Sequence, residues 1–356
     1  VRDEQIDAVL VAGDLFDRAV PPQPAVELAD QALARLVDAG AAVVAISGNH
    51  DSAQRLGFGA RAMAAAGLHI RTERRDIGGL GAPVVLQPRR RPGEEPVTVV
   101  PVPYLDPLRL DPVEGVERTH HGVTAHVAGL GLAAAVTGGS PASACIVMGH
   151  CFVNGGSESD SERALSVGGS SLVELAAFGE AGYVALGHLH RPQAFDGGRV
   201  RYAGSPIALS FSEEHAKEVR ILEADGGITS RSVPVDVGRP VRTLRGTLEE
   251  ILGSAAFAEA EEAFVRVQLT DTEHRLGAME AVQRRFPFAC ELSYVELARQ
   301  GGAAASEIIG PQRLRPREII HRYTERTLGE NVEPWVEEIV DSAYRAAGGA
   351  GAEGSA

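Results

Sequence analysis

The sequence is poor in the features that would mark a secreted, membrane-bound or DNA-coating protein. Its three cysteines, Cys145, Cys151 and Cys290, are odd in number and lack paired metal-type spacing, which argues against a disulfide framework or a zinc ribbon. Buried thiols in a reducing compartment are the expectation. No apolar run approaches the ~18 residues that a membrane span needs, and Val1, Arg2, Asp3 and Glu4 show no charged-then-apolar leader pattern. A cytoplasmic location without a membrane partner is therefore expected. Positive charge is also short: 34 Lys and Arg against 48 Asp and Glu give a formal net charge of −14. That balance argues against a protein that coats nucleic acid, whose affinity comes from cations neutralising phosphates. Local basic clusters remain at Arg71, Arg74 and Arg75, at Arg89, Arg90 and Arg91, and at Arg313, Arg315 and Arg317; solvated loop charge is their simplest reading. No internal repeat is visible.

What is present suffices for a large core: 356 residues, 44% of them hydrophobic and 23% charged, a length that suits about two domains. Short β-rich apolar runs at Ala8 to Ala12, Val43 to Ile46, Val97 to Val102, Cys145 to Met148 and Tyr183 to Leu186 predict strands. Ala25 to Ala39, Ala60 to Ala66 and Val123 to Val136 predict helices between them. Buried strands separated by helices argue for a layered α/β domain rather than antiparallel hairpins, running over residues 1–237. After Gly238-Arg239-Pro240 the pattern predicts a helix (Leu248 to Ala260), a strand (Phe264 to Leu269), a helix (Thr272 to Phe286) and a strand (Cys290 to Val295), a small α+β domain over 238–300. Gly301 to Ala305 opens a linker and amphipathic helical segment over 301–347, in which Val332, Trp335, Val336, Ile339, Val340, Ala343 and Tyr344 share one helical face. Residues 348–356 read as a disordered tail.

The chemistry-bearing residues sit at the ends of predicted strands, where open α/β sheets place ligands. The Ala8 strand runs into Gly13-Asp14-Leu15-Phe16-Asp17, and the Val43 strand into Gly48-Asn49-His50-Asp51. Met148-Gly149-His150 and Leu186-Gly187-His188-Leu189-His190 follow two more. Each alone has a plainer reading: a cap or turn aspartate, a Gly-Asn turn, a structural histidine. Together they supply carboxylate, amide oxygen and imidazole. Asn49 offers a neutral oxygen, His50 a proton donor or ligand near neutral pH, and Asp51 a group able to fix an imidazole tautomer. His188 and His190, spaced i, i+2, can converge on metal, and Gly187 lets the backbone approach closely.

The ordered set Gly-Asp-x-x-Asp, Gly-Asn-His-Asp, Gly-His, Gly-His-x-His resembles the signature of the calcineurin-like metallophosphoesterases. The text from Phe152 to Gly156, Ser159 to Arg163, Tyr183 to Gln193 and Tyr202 to Pro206 is similar, more narrowly, to the SbcD family of nucleases. The resemblance implies a metallophosphoesterase β-sandwich flanked by helices, a small α+β capping domain and a C-terminal partner-binding helical segment. It implies two divalent ions, Mn²⁺ being the expected metal, with Asp14 bridging. Asn49, His150 and His188 would complete one ion's ligands and His190 would serve the other. His50 and Asp51 would be the catalytic pair, with Asp17 orienting from behind. It further implies an SbcC-type ATPase as partner, docked on Val332, Trp335, Val336, Ile339 and Tyr344, DNA ends as substrate, and a homodimer within a heterotetramer.

One departure is expected to matter. The family's Asp-x-His pair, which would complete the second ion's ligands, is absent from the sequence. The chain is expected to be an N-terminal truncation, binding at most one ion tightly and hydrolysing poorly. A DNA-end nuclease subunit is the leading expectation. A phosphoesterase acting on small substrates and a non-catalytic scaffold are the competing ones.

Overall fold

The computed structural model describes residues 1–73, 80–88, 95–162, 171–295 and positions 335, 338, 339 and 342. They fall into two compact units, Val1–Val241 and one that begins at Arg242; that division and the expected boundary after Val237 lie on either side of Gly238-Arg239-Pro240.

The first unit alternates strands and helices. Strand β1 (Ala8–Val11) is followed by α1 (Gln23–Asp38), which starts at a Pro-containing first turn, then β2 (Ala42–Ile46), α2 (Ala53–Leu56), α3 (Ala60–Met63) and β3 (Leu68–Arg71). Next come β4 (Val84–Leu86), β5 (Val97–Val102) and α4 (His120–Thr137), whose N-cap Thr119 accepts a hydrogen bond from Gly122 N–H. They are followed by β6 (Cys145–His150), β7 (Phe152–Val153), β8 (Leu172–Val173), β9 (Tyr183–Gly187), β10 (Gln193–Phe195), β11 (Val200–Tyr202) and the hairpin β12 (Glu218–Ala224) to β13 (Ile228–Pro234). Strands β1, β2 and β3 form a parallel sheet, and a second, six-stranded sheet has the order β10-β11-β9-β6-β5-β4. Its four inner strands are parallel and its two edges antiparallel.

Period-2 side-chain direction explains the layers. Ala42, Val44 and Ile46 of β2 pack with Val99, Ile146, Met148 and Tyr183 in one cluster between the two sheets. Their alternates on the six-stranded sheet, Val100, Val102, Val147, Val184 and Leu186, turn the other way and pack with Val123, Val127, Ala128 and Leu132 of α4. On the far side of the small sheet, Ala45 and Ile70 pack with Leu56. The result is a β-sandwich flanked by helices, as expected. Both faces of the strands are covered, so every residue of β2 is buried, and each large apolar side chain so covered contributes about 1.5–3 kcal/mol.

The second unit contains the sheet β14 (Val241–Gly246), β15 (Phe264–Leu269) and β16 (Ala289–Tyr294), in that order, with α5 (Leu248–Gly253) and α6 (Ala278–Arg285). Its core is Leu244, Ile251, Val265, Val267, Leu269, Val282 and Phe286. Both expected helices here are shorter than the periodicity suggests. The first is cut at Ser254, which is extended and turns its hydroxyl to Ala256 N–H, so that a 3₁₀ segment follows. The second starts only at Ala278, after Gly277 in the left-handed region, because the preceding Asp271 carboxylate is engaged by Leu248 N–H and Arg275 Nε. Trp335 and Ile339 are helical and 61% and 58% exposed; Val332, Val336, Val340, Ala343 and Tyr344 lie outside the described residues, as do Gly301 to Ala305 and the tail. Among the described residues, no helix is long and apolar enough to cross a membrane.

Candidate metal centre

Four strands deliver the candidate residues to one edge of the sandwich. β1 and β2 are parallel, and β6 and β9 are parallel with His150 in register with Gly187, so the chain leaves all four at their C-terminal ends. Two glycines of the motifs are steric requirements. A Cβ on Gly48 would lie 2.0 Å from Asp14 Oδ1, and one on Gly187 would lie 1.8 Å from the Ala12 carbonyl oxygen. The strand ends meet only because nothing projects there. Asp14 and His188 adopt positive φ, 48° and 105°, which non-glycine residues rarely do and which tends to mark functional sites.

Asp14, His150 and His188 offer ligand atoms that all lie within 4.8 Å of one another, the only such metal-type group among the described residues. His150 Nδ1 donates to the Ala12 carbonyl at 2.8 Å, which fixes its tautomer and turns Nε2 inward. That Nε2 lies 2.9 Å from Asn49 Oδ1 and 3.2 Å from Asp14 Oδ2. Three lone pairs directed at one another need positive charge between them, a proton or a metal ion. Burial pulls the His150 pKa down, but the Asp14 charge and hydrogen bond outweigh it, so the net shift is upward. Asp14 responds in the opposite sense: burial pushes its pKa up, yet His150 and the His50 N–H hold it well below the usual carboxylate range. His188 is pushed down to about 3 by burial and by the His150 charge, so it is a neutral imidazole. Its Nε2 is buried and has no hydrogen-bond partner. An orphaned buried nitrogen is costly, and a cation beside Asp14 would satisfy it. The donor set fits a divalent ion.

His50 and Asp51 have different surroundings. His50 is buried, and its Nδ1 donates to the Asp17 carbonyl at 3.0 Å, with the Asp17 carboxylate at 3.7 Å. Asp17, in the orienting place expected of it, thus acts through its backbone oxygen. The Asp51 carboxylate accepts from Leu15 N–H (3.2 Å), Phe16 N–H (3.0 Å) and Gly48 N–H (2.9 Å). It ties the two motif loops together, while the His50 tautomer is set by Asp17. Burial raises the Asp51 pKa against those hydrogen bonds, and the Asp14 charge adds to the rise.

The sequence profile of the calcineurin-like phosphoesterases matches residues 1–192, and that described as the type 5 capsule protein repressor C-terminal domain matches residues 237–327. The chain is 40% identical over 293 residues to the SbcD component of the SbcCD nuclease of Rhodobacter capsulatus, covering 77% of this chain and 69% of that protein. It is 35% identical over 256 residues to the corresponding SbcCD nuclease component of Bacillus subtilis, covering 68% of this chain and 62% of that protein. The chain belongs to the SbcD family of calcineurin-like phosphoesterases. As a family member it is a metal-dependent phosphodiesterase of the nuclease type.

For an SbcD-family chain the second half of the site is the part that sequence reasoning left thinnest. His190 lies outside the Asp14–His150–His188 group. Its Nδ1 meets Glu213 Oε1 at 2.9 Å and Ser161 Oγ at 2.7 Å, and its backbone N–H donates to Glu162 Oε1 at 2.7 Å. Glu213 is buried, and its other oxygen takes Lys217 Nζ at 2.6 Å. Burial raises the Glu213 pKa, but hydrogen bonds from His190, Lys217 and Ser161 hold it well below the carboxylate range. Glu213 and Lys217 were missed. Glu213 stands in a polar stretch beside an exposed Glu214, and only their i, i+4 spacing hinted at a pair.

Proposed function

We propose that this chain hydrolyses phosphodiester bonds at DNA ends, as a double-strand exonuclease and a single-strand and hairpin endonuclease, in a cytoplasmic complex with an SbcC-type ATPase. The observation that carries the reading is the convergence of Asp14, Asn49, His150 and the unpartnered His188 Nε2 at the strand ends. Bound divalent ions would supply charge against the phosphate and activate the attacking water. Oxygen and imidazole donors without thiolate suit Mn²⁺. Asp14, Asn49, His150 and His188 would hold one ion, and Asp14 and His190 would contribute to a second. His50 presents Nε2, its Nδ1–H occupied by Asp17, and would protonate or hydrogen-bond the leaving oxygen. The relatives' printed names support the ATPase partner. The exposed Trp335 and Ile339 suit a docking helix, with Val332, Val336 and Tyr344 on its face, in a homodimer within a heterotetramer. The free, mostly buried cysteines fit a reducing compartment.

The test is hydrolysis of linear duplex DNA with Mn²⁺ and the ATPase present, by the natural protein and by His188→Gln. Metal-dependent degradation lost in the variant supports the reading. Hydrolysis of a small chromogenic diester with none of duplex would replace it with a small-substrate phosphoesterase, and ATPase binding without hydrolysis of either would replace it with a scaffold.

A further inference from the structure

We propose that Glu213 is a positioning residue for this metal site, holding His190 as the Nδ1–H tautomer so that its Nε2 lone pair is free for a metal ion. The inference rests on the reading of His190 as a ligand. Nδ1 faces Glu213 Oε1 at 2.9 Å, and a carboxylate that is only an acceptor demands a proton on the nitrogen it meets. Ser161 hydrogen-bonds the same carboxylate oxygen as well as Nδ1. It has one proton, and that proton serves Glu213, so the hydroxyl supports the carboxylate rather than competing for its role.

The far side of Glu213 explains why its orientation is fixed. Oε2 accepts from Lys217 Nζ at 2.6 Å and from Leu209 N–H at 3.3 Å, with Ser205 Oγ at 3.1 Å. Lys217 also donates to Ser205 Oγ at 2.9 Å. Lys217 is the only lysine in the chain; every other basic side chain is an arginine. A compact ammonium on a flexible stem fits this buried corner, which a planar guanidinium would not. Ser205 N–H in turn donates to the His190 carbonyl at 3.0 Å and Glu162 accepts from the His190 N–H at 2.7 Å. Backbone and ring of His190 are thus held by one connected set of polar groups, the arrangement by which carboxylate–imidazole pairs orient metal ligands.

The asymmetry of the two Glu213 oxygens makes the test sharp. In Glu213→Gln the amide oxygen must face Lys217 and Leu209, because both are donors, so its NH₂ faces His190 Nδ1. The imidazole is then expected to invert to the Nε2–H form. Long-range ¹H–¹⁵N correlation spectra of histidine-labelled protein read the tautomer without metal: Nδ1–H in the natural protein, Nε2–H in the variant. Ser161→Ala should leave Nδ1–H in place. Mn²⁺ titration by EPR should show the affinity lost in His190→Gln falling by roughly 10- to 100-fold in Glu213→Gln as well. If the variant does not fold, the apolar pair Glu213→Met with Lys217→Met is read instead and should give averaged ring signals with the same drop in affinity. An unchanged Nδ1–H tautomer in folded Glu213→Gln, or an inverted one in Ser161→Ala alone, overturns the inference about Glu213. Unaltered Mn²⁺ binding in His190→Gln overturns the reading of His190 as a ligand instead.

Discussion

Replacing Asp51 with Asn separates a residue that reacts from one that holds loops. Asp51 Oδ2 accepts from Leu15 N–H and Gly48 N–H, and Oδ1 accepts from Phe16 N–H. An asparagine keeps its oxygen toward the first two and presents NH₂ to Phe16 N–H, donor against donor. One unsatisfied, partly buried donor costs about 1–3 kcal/mol, and the two remaining bonds lose their charge assistance. Removing the charge also relieves repulsion from Asp14, which already raises the Asp51 pKa, and this offsets part of the loss. The net expectation is about 2 kcal/mol, or a fall in Tm of roughly 4–8 °C for a unit of this size. Urea unfolding followed by circular dichroism measures it, and Mn²⁺ titration should show weaker binding because the Asp14 loop is no longer tied to the Asn49 loop. At saturating Mn²⁺ much of the turnover should return. Stability within about 0.5 kcal/mol of the natural protein, combined with abolished turnover at saturating metal, would refute the loop-holding account and make Asp51 a participant in the chemistry.

Two further outcomes are expected. Tyr202→Phe removes the hydroxyl that donates to the Cys151 carbonyl at 2.8 Å and accepts from Val153 N–H at 3.0 Å, just beyond the His150 strand; equilibrium unfolding should show a loss of about 2 kcal/mol, since two buried backbone groups are left unpaired. Gly48→Ala puts a methyl group 2.0 Å from Asp14 Oδ1 and 2.4 Å from its backbone nitrogen, so Mn²⁺ affinity measured by calorimetry should fall by about 10-fold or more in a protein that remains folded.

Most of the first unit was legible because its strands are uniformly apolar and its motifs punctuate their ends. The five predicted strands all form. Ala60 to Ala66 folds as α3 continued by a 3₁₀ turn that Gly67 closes in the left-handed region. What escaped was short or carried by turn chemistry. β4, β7, β8 and β10 span two or three residues each, too few for a period to show. The hairpin β12–β13 turns at Asp225-Gly226-Gly227 between half-buried strands whose charged residues obscure the alternation. In the candidate site, Asp14, Asn49, His150 and His188 were legible from their positions after strands. The partner of His190 was not, because Glu213 and its neighbour Glu214 are chemically identical in sequence and differ only in which one the fold buries. The orienting role shared by Asp17 and Asp51 also resisted reading. Backbone oxygens and N–H groups, which leave no mark in the sequence, are the partners that decide it.

Lys217 gives the protein a built-in reporter. Its ammonium is 8% exposed and bonded to Glu213, so an amine-acylating reagent meets no other lysine side chain in the chain and reaches this one only when the corner behind His190 opens. When reclosing is fast, the acylation rate reads the free energy of that opening. Every modified molecule counted by mass spectrometry is then one in which the His190 support had come apart, so ions, DNA and partner proteins can each be ranked by how firmly they keep that corner shut.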